Sequence, residues 1–454
     1  MLATNDCESS GLAPWSLYAP HAAQPMWFAL DRSGACSFAG SRPYAQLVVD
    51  SRAIVHRWHA GCWQRSEADP IEGIVSFVEE SAAAPVDVPQ WLEAVDLLPR
   101  TVGYLGYEIG GHLERLPSAG TDPTGAPLAV LSTYDRVDVW DPLQMRSATI
   151  ELGPGDAGTV APLTGVGACA PARPLLSSSA ALVRYRAGFA RIQEAIRSGD
   201  IYKANLSRHT CYPLAEDPVR AWARLRRRQP VPHGAYLDVG DWCVLSNSPE
   251  LFLRVQGEHV ETRPIKGTRA RHQDPEADAR ARAELLSDSK ELAEHVMIVD
   301  LERNDLGRVS VTGSIEVAAH ARLETFATLH HLVSVVRGRL RPATTLAELL
   351  RATFPGGSIT GAPKIRAVEI IAEVEPYGRG VYTGAIGCFN GTRAIDLNVA
   401  IRTAVVKAGR IHYWAGGGIV ADSSLDREYA ETQTKSLAFL DALGNRHDRQ
   451  QAVG

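Results

Sequence analysis

The stretch Thr262-Arg-Pro-Ile-Lys-Gly-Thr268 places one lysine, Lys266, between an isoleucine and a glycine. Residues 251–255 and 259–263, which precede it, alternate apolar and polar side chains. This pattern predicts two short strands and puts the lysine where a strand ends in a glycine turn. A lysine removed from water gives up its proton readily, and its neutral amine is then a nucleophile or a base. Taken singly, Lys266 could equally be a solvated lysine at a strand end, so the rest of the chain must decide.

The composition excludes several classes of protein. The 454 residues are 45% hydrophobic and 22% charged, as in a globular protein of one large or two ordinary domains. A net charge of −5 gives no basic surface for nucleic acid, no apolar run is long enough to span a membrane, and the N-terminus lacks the pattern of an export signal. The seven cysteines are scattered without a Cys-x-x-Cys pair, which is typical of reduced thiols. These features predict a cytoplasmic enzyme.

The chain divides at a stretch that is almost without charge. Residues 153–180 are rich in Gly, Ala, Pro, Thr and Ser, which predicts a linker between an N-terminal subdomain, 1–152, and a larger region, 181–445. In the first part, we expect strands near 26–30, 45–49, 128–134 and 136–140 and a helix over 70–98. The segment Gly103-Tyr-Leu-Gly-Tyr-Glu108 interrupts this pattern, and its glycines predict a close approach of two backbones.

The larger region carries clear helix-start signals. Asp217 followed by Pro218 predicts a helix over 218–228, and Asp288 with Glu291 predicts another that starts just after Ser287. Apolar periodicity predicts further helices at 182–198, 365–373 and 425–443, and strands at 201–207, 381–390 and 394–406.

Two pairs of glutamates lie within predicted helices. Glu291 and Glu294 are three residues apart, as are Glu428 and Glu431, so each pair points two carboxylates in one direction. If the two faces converge, four carboxylates meet without a histidine or cysteine beside them, which suits Mg²⁺ rather than zinc. Each pair taken singly is also typical of an ordinary solvated helix face.

Several groups are candidates for binding an anion. The glycine-rich stretches 356–361 and 416–418 precede predicted helices and offer main-chain N–H groups, but neither has the spacing of a nucleotide-binding loop. We therefore expect a small carboxylate as the anion. Arg402, in an otherwise apolar predicted strand, is either a carboxylate clamp or half of a buried structural ion pair. Lys435, four residues after Glu431, either forms a helical ion pair or meets a second carboxylate of the ligand.

Four motifs in this order resemble the chorismate-utilising enzymes, a family that includes anthranilate synthase component I, aminodeoxychorismate synthase component I and the isochorismate and salicylate synthases. The motifs are Arg-Pro-Ile-Lys-Gly-Thr (263–268), Glu-His-Val-Met-Ile-Val-Asp-Leu-Glu-Arg-Asn-Asp-Leu-Gly (294–307), Gly-Ser-Ile-Thr-Gly-Ala-Pro-Lys (357–364) and Gly-Gly-Gly-Ile-Val-Ala-Asp-Ser (416–423). The resemblance covers about residues 183–440. It implies an α+β fold, a single large unit of two packed antiparallel sheets flanked by helical layers, to which both halves of the chain contribute.

The resemblance also implies a reaction. Within this family, a lysine in Pro-Ile-Lys-Gly-Thr marks the aminodeoxychorismate synthases, whereas the anthranilate synthases carry alanine there. By this resemblance Lys266 attacks carbon 2 of chorismate while the carbon 4 hydroxyl leaves, and ammonia then adds at carbon 4 and expels the lysine. Glu250 matches the acid that protonates the leaving hydroxyl. His331 matches the histidine that serves the pyruvate-eliminating relatives.

Further residues match the ligand-binding positions of the family. Glu294 and Glu431 match the Mg²⁺ ligands, and Glu291 and Glu428 match residues that hold metal-bound water. The positions that match the grip on the enolpyruvyl carboxylate and its pocket are Tyr382, Arg402, Ser358 and the backbone of Gly416 and Gly418. Lys203 is a departure, because ammonia-using members usually carry glutamine there, while water-using isochorismate synthases carry a lysine as general base. A second cation near Lys266 favours neutral amines.

None of the cysteines lies in the Gly-x-Cys-x-Gly elbow of a glutamine amidotransferase, so the resemblance implies a separate glutaminase subunit that delivers ammonia. The expected activity is aminodeoxychorismate synthase component I, for p-aminobenzoate and folate. The alternatives are an isochorismate or 2-amino-2-deoxyisochorismate synthase, anthranilate synthase component I, or a catalytically silent subunit that regulates a partner. The intact Lys266, Glu250 and four glutamates argue against the silent subunit.

Overall fold

The computed structural model describes residues 12–444 except 33, 60, 83–85, 87, 93–94, 96, 118–119, 154–158, 162, 164–177, 215 and 327–328. The α-helices in the described part are α1 (Trp15–Ala22), α2 (Pro70–Glu80), α3 (Gly110–Leu113), α4 (Ser178–Arg197), α5 (Pro218–Arg228), α6 (Pro275–Ser287), α7 (Ser289–Gly307), α8 (Leu346–Thr353), α9 (Lys364–Val374) and α10 (Leu425–Ala442).

The strands in the described part are β1 (Phe28–Asp31), β2 (Ser37–Gly40), β3 (Ala45–Val49), β4 (Val55–His59), β5 (Cys62–Ser66), β6 (Thr101–Leu105), β7 (Ala129–Thr133), β8 (Arg136–Asp141), β9 (Arg146–Glu151), β10 (Lys203–Pro213) and β11 (His233–Asp238). They continue as β12 (Trp242–Ser248), β13 (Leu251–Gln256), β14 (His259–Arg263), β15 (Ile265–Ala270), β16 (Glu316–Thr325), β17 (Leu329–Arg339), β18 (Gly361–Ala362), β19 (Ala385–Phe389), β20 (Ala394–Val399), β21 (Thr403–Lys407) and β22 (Arg410–Ile419).

These strands form two antiparallel sheets, as the family resemblance implies. The first sheet has the order β18-β10-β22-β21-β12-β11-β1-β2-β8-β9, and the second has the order β15-β17-β14-β13-β20-β19-β6-β7-β3-β4-β5, with β16 beside β17. Strands from both sides of the predicted linker occur in both sheets, because β1 pairs with β11 and β6 pairs with β19. The two halves of the chain therefore build one α+β unit. Most of the predicted linker, 153–180, lies outside the described residues.

The two sheets pack face to face through an apolar layer. Phe28 and Val244 of the first sheet belong to the same buried cluster as Val102 and Ile386 of the second. The opposite face of the first sheet is covered by α1, α5 and α10, where Trp222 and Phe439 are buried. On the second sheet, the other face packs against α2, α7 and α8. The predicted flanking helical layers are thus confirmed.

The two helix starts that the sequence predicts from capping aspartates are confirmed. Helix α5 spans the predicted residues, and the Asp217 carboxylate accepts from the N–H groups of Val219 and Arg220. Helix α7 starts after Asp288, whose carboxylate accepts from the N–H of Glu291 at 3.1 Å.

Three of the predicted elements were wrong in extent. The helix expected over 70–98 ends at Glu80, since the following Ala-Pro-Val-Asp-Val-Pro (84–89) contains two prolines, which interrupt a helix. The strand expected over 394–406 is split into β20 and β21, because Arg402 has a left-handed φ of 49° that no regular strand accommodates. The glycines 416–418, expected in a loop, are the end of β22.

The prediction that Gly103 allows a close backbone approach is confirmed. Gly103 lies in the middle of the second sheet, opposite Gly387 on one side and Leu131 on the other. A Cβ atom on Gly103 would lie 1.9 Å from the carbonyl oxygen of Val130, far inside the contact distance of two atoms.

We predict that Gly103→Ala destabilises the protein by about 3 kcal/mol or more, because a main-chain atom in a central strand cannot move aside for the added methyl group. Thermal unfolding followed by circular dichroism measures the effect. Gly307→Ala is the matched control, since a Cβ there meets nothing within 4 Å and the residue, the last of α7, has no left-handed φ. Equal melting temperatures for the two variants would contradict the packing argument.

Candidate active site

Two lysines and two glutamates from distant parts of the chain meet at one site. Lys203 begins β10 and is fully buried, and its Nζ donates to the main-chain oxygen of Ser358 at 3.4 Å. The pKa of Lys203 is well below its usual value, first because of burial and then because of the positive charge of Lys266, while Glu294 and Glu250 oppose this effect. The neutral amine that the sequence predicts at this site is therefore favoured at Lys203.

Lys266 lies inside a strand rather than at its end. Strand β15 runs through it to Ala270, with a bulge at Gly267, which has a φ of 67°. The expected strand end at this glycine is thus wrong, since glycine accepts the left-handed conformation and the pairing with β17 continues beyond it. Burial and the negative charge of Glu294 raise the pKa of Glu291, and the positive charge of the nearby Lys266 opposes this rise.

Glu250 is a buried carboxyl group beside the two lysines. It follows β12 and is 4% exposed. Burial raises its pKa, against the effects of a hydrogen bond from Ser358 and of the charge of Lys266. A carboxyl group that keeps its proton to higher pH is suited to act as a general acid.

The helices α7 and α10 bring their glutamates towards each other. Burial raises the pKa of Glu428, and the negative charges of Glu431 and Glu294 raise it further. Because Glu294 belongs to α7 and Glu428 to α10, these two helices lie near each other at the site. In the described residues, however, no three acidic, histidine or cysteine side chains already lie close enough to hold a metal ion.

Lys435 takes the helical ion pair that the sequence left open. Its Nζ lies 2.7 Å from a carboxylate oxygen of Glu431 and donates to the main-chain oxygen of Gly416 at 2.8 Å. Lys435 thereby links α10 to the glycine-rich end of β22.

Arg402 stands at an opening in the first sheet. The pairing of β21 with β22 ends at Ala404 and Tyr413, so the end of β22 that contains Gly416 and Gly418 is paired only with β10 in the described part of the chain. Arg402 precedes β21 and, among the described residues, has no carboxylate within ion-pair distance. Burial lowers its pKa. The absence of a carboxylate partner among the described residues disfavours a structural ion pair for Arg402. An arginine in this position, beside a strand edge with free main-chain groups, can bind the carboxylate of a ligand.

His331 and Tyr382 lie beside this opening. His331 is 2% exposed, and its Nδ1 lies 2.9 Å from the hydroxyl of Thr268. Burial and the positive charge of Arg402 lower the pKa of His331 to about 4, so its imidazole is neutral at pH 7. Tyr382 is buried and stacks on Trp414 with ring centroids 6.3 Å apart.

Sequence reasoning missed a buried ion pair, between Arg379 and Glu375, that contacts the strand and loop of the site. Arg379 and Glu375 are 0% and 3% exposed and lie 2.8 Å apart. The Arg379 guanidinium also donates to the main-chain oxygens of Ile359 and Asn205 at 3.1 and 3.0 Å. An arginine in the loop after α9 has the sequence context of a surface residue, and only long-range contacts reveal its burial.

A cavity of about 380 Å³ lies behind the loop that carries Arg379 and Tyr382. Tyr107, Glu108, Asp122 and Gly380 are among its lining residues, whereas none of the predicted site residues lines it. The Glu108 carboxylate accepts from the main-chain N–H groups of Arg379 and Gly380 at 2.7 and 3.0 Å. Burial and the negative charge of Asp122 raise the pKa of Glu108 to about 7. The segment 103–108 thus holds the main chain of the loop that carries Arg379 and Tyr382.

Comparison with known proteins assigns the family. The model of the chorismate binding enzymes matches residues 28–441, and the chain therefore belongs to this family. Anthranilate synthase component 1 1 of Haloarcula marismortui is 40% identical over 376 residues, 76% of this chain and 77% of that protein. Aminodeoxychorismate synthase component 1 of Salmonella typhimurium is 39% identical over 431 residues, 89% of this chain and 94% of that protein.

The crystal structure of anthranilate synthase component I from Streptococcus pneumoniae has the same fold. It superposes with a TM-score of 0.74 at 30% identity and covers 89% of this chain and 92% of that one. The protein is thus a chorismate-utilising enzyme, and its curated relatives divide between two activities. None of the described helices combines the length and apolar character needed to cross a membrane.

Proposed function

We propose that this protein is the chorismate-converting component of an aminodeoxychorismate synthase, with a product that leads to p-aminobenzoate and folate. The observation that carries the proposal is Lys266, a half-buried lysine in the motif Arg-Pro-Ile-Lys-Gly-Thr, whose charge acts on both Lys203 and Glu250. In the family, the anthranilate synthases carry alanine at this position, so a nucleophilic lysine distinguishes the two activities represented among the relatives.

In the proposed reaction the residues have separate tasks. Arg402, Tyr382 and the N–H groups of Gly416 and Gly418 hold the enolpyruvyl carboxylate. The Lys266 amine forms a bond to carbon 2, the ring double bonds shift, and the carbon 4 hydroxyl takes the Glu250 proton and leaves as water. Ammonia then bonds to carbon 4, the double bonds shift back, the carbon 2–nitrogen bond to lysine breaks, and the surplus ammonia proton returns to Glu250.

The four glutamates of α7 and α10 carry the type of ligand, carboxylate oxygen, that a hard divalent cation prefers. Glu291 is made less acidic by burial and by the charge of Glu294, and Glu428 by burial and the charges of Glu431 and Glu294, so a cation among them would relieve mutual repulsion. We propose that Glu294 and Glu431 ligate Mg²⁺ and that Glu291 and Glu428 hold its water. The bound ion would supply positive charge for the ring carboxylate of chorismate.

We expect Lys266→Ala to lose nearly all formation of aminodeoxychorismate from chorismate, Mg²⁺ and ammonium salt, because the amine that attacks carbon 2 is gone. Chromatography of the products measures this loss. Chorismate binding should persist, since Arg402 and the β22 edge are intact. Wild-type-like product formation by the variant would reject the covalent role.

With glutamine instead of ammonium salt, the wild-type chain should form no product, because the ammonia is proposed to come from a separate glutaminase subunit.

Glu294→Gln and Glu431→Gln should each weaken Mg²⁺ binding about tenfold or more, because each removes one anionic oxygen from the proposed site. Isothermal titration calorimetry with Mg²⁺ measures the affinity independently of activity. The control is Glu276→Gln, which changes an exposed carboxylate on α6. Unchanged Mg²⁺ affinity in both variants, with wild-type activity that resists a chelator, would overturn the metal assignment.

Lys203 leads us to predict a side reaction. A neutral amine near the ring can deprotonate water and direct it to carbon 2, so the wild type should release some isochorismate when ammonia is scarce. Lys203→Gln should suppress this leak and leave the ammonia reaction within a few-fold of the wild type. Product chromatography over a range of ammonium concentrations tests the prediction. If neither protein forms isochorismate at any concentration, Lys203 has only a structural role.

A further inference from the structure

Lys203 and Asn205 share one face of β10. Successive side chains of a strand point to opposite faces, so residues two apart point the same way. The side chains of Lys203 and Asn205 lie over the neighbouring strand, β22, and the β22 residues beneath them are glycines. A Cβ atom on Gly418 would be 2.3 Å from Cε of Lys203, and one on Gly416 would be 2.6 Å from Oδ1 of Asn205. The glycines therefore give both side chains their space on the active-site face of the sheet.

The backbone of Asn205 is fixed while its side-chain oxygen is left without a partner. Its N–H donates to the main-chain oxygen of Thr360 at 2.7 Å, and its carbonyl accepts from Arg379 at 3.0 Å. The side-chain Oδ1 is buried and accepts no hydrogen bond from any described residue, and the residue is 8% exposed. Buried acceptors are normally paired because leaving one unpaired costs free energy. The position is therefore suited to a ligand that donates a hydrogen bond.

We infer that the Asn205 carboxamide is the binding group for the incoming ammonia, an inference that rests on the proposed function. An amide oxygen is a neutral, weakly basic acceptor. It can accept from an N–H of ammonia without taking or giving a proton, and the ammonia lone pair stays free to attack carbon 4. A carboxylate at this position would favour ammonium, which has no lone pair. The amide therefore selects the reactive form of the co-substrate.

The test is the kinetics of Asn205→Leu, which keeps the size of the side chain and removes the acceptor. In the purified chain, with Mg²⁺ and ammonium salt at pH 8.5, kcat/KM for ammonia should fall about tenfold or more. The kcat/KM for chorismate at saturating ammonia should stay within about twofold. Asn205→Ser, which keeps a small acceptor, should recover part of the loss and guards against misfolding of the leucine variant.

The other outcomes are distinct. An unchanged kcat/KM for ammonia in both variants would show that the amide only fills space and would overturn the inference. A higher KM for chorismate with an unchanged KM for ammonia would also overturn it. That result would place the amide against a ring hydroxyl. Failure of the proposed function itself looks different, because the wild-type chain would then form no aminodeoxychorismate from ammonium salt at all.

Discussion

The candidate active site depends on the buried ion pair between Arg379 and Glu375. Glu375 accepts from the N–H and the hydroxyl of Ser207 at 2.8 Å, and Arg379 donates to carbonyls of Asn205 and Ile359. The pair therefore ties β10, the turn at 357–359 and the loop after α9 to each other. Removing two charges from water is expensive, and an ion pair repays that cost only when its remaining hydrogen bonds are satisfied, as they are here. Loss of one partner would leave a buried charge in the middle of three active-site segments.

The N-terminal part of the chain supports this arrangement from outside the site. Glu108 holds the main chain at Arg379 and Gly380, and the Tyr107 ring lies 4.7 Å below the Arg379 guanidinium. Strand β6, which leads into this segment, is held against β7 by Gly103. The proposed catalytic residues thus belong to the second half of the chain, while the first half fixes the loop that carries Tyr382.

Charge is distributed so that the groups of the site keep different protonation states. Lys203 is desolvated and lies beside a second cation, which favours its neutral amine. Glu250 is desolvated and favours its protonated form, and His331 is kept neutral by burial and by Arg402. A lysine with a lowered pKa, a carboxyl group with a raised pKa and an arginine without a carboxylate partner among the described residues can coexist within one site because each has a different set of near neighbours. This separation suits a reaction that moves protons and binds a carboxylate at the same time.

The sequence by itself determined those features whose cause lies within a few residues. Asp217 and Asp288 start their helices with their own carboxylates. The four motifs between 263 and 423 are local as well, and their resemblance to a family implied the two antiparallel sheets. Only the tertiary structure decided the surroundings of each side chain. It placed Arg402 beside a strand edge instead of in a strand, buried Arg379 against Glu375, and left the side-chain oxygen of Asn205 without a hydrogen-bond partner among the described residues. Burial and hydrogen bonding at these positions come from residues far away in the chain, and a local pattern contains no record of contacts made over such distances.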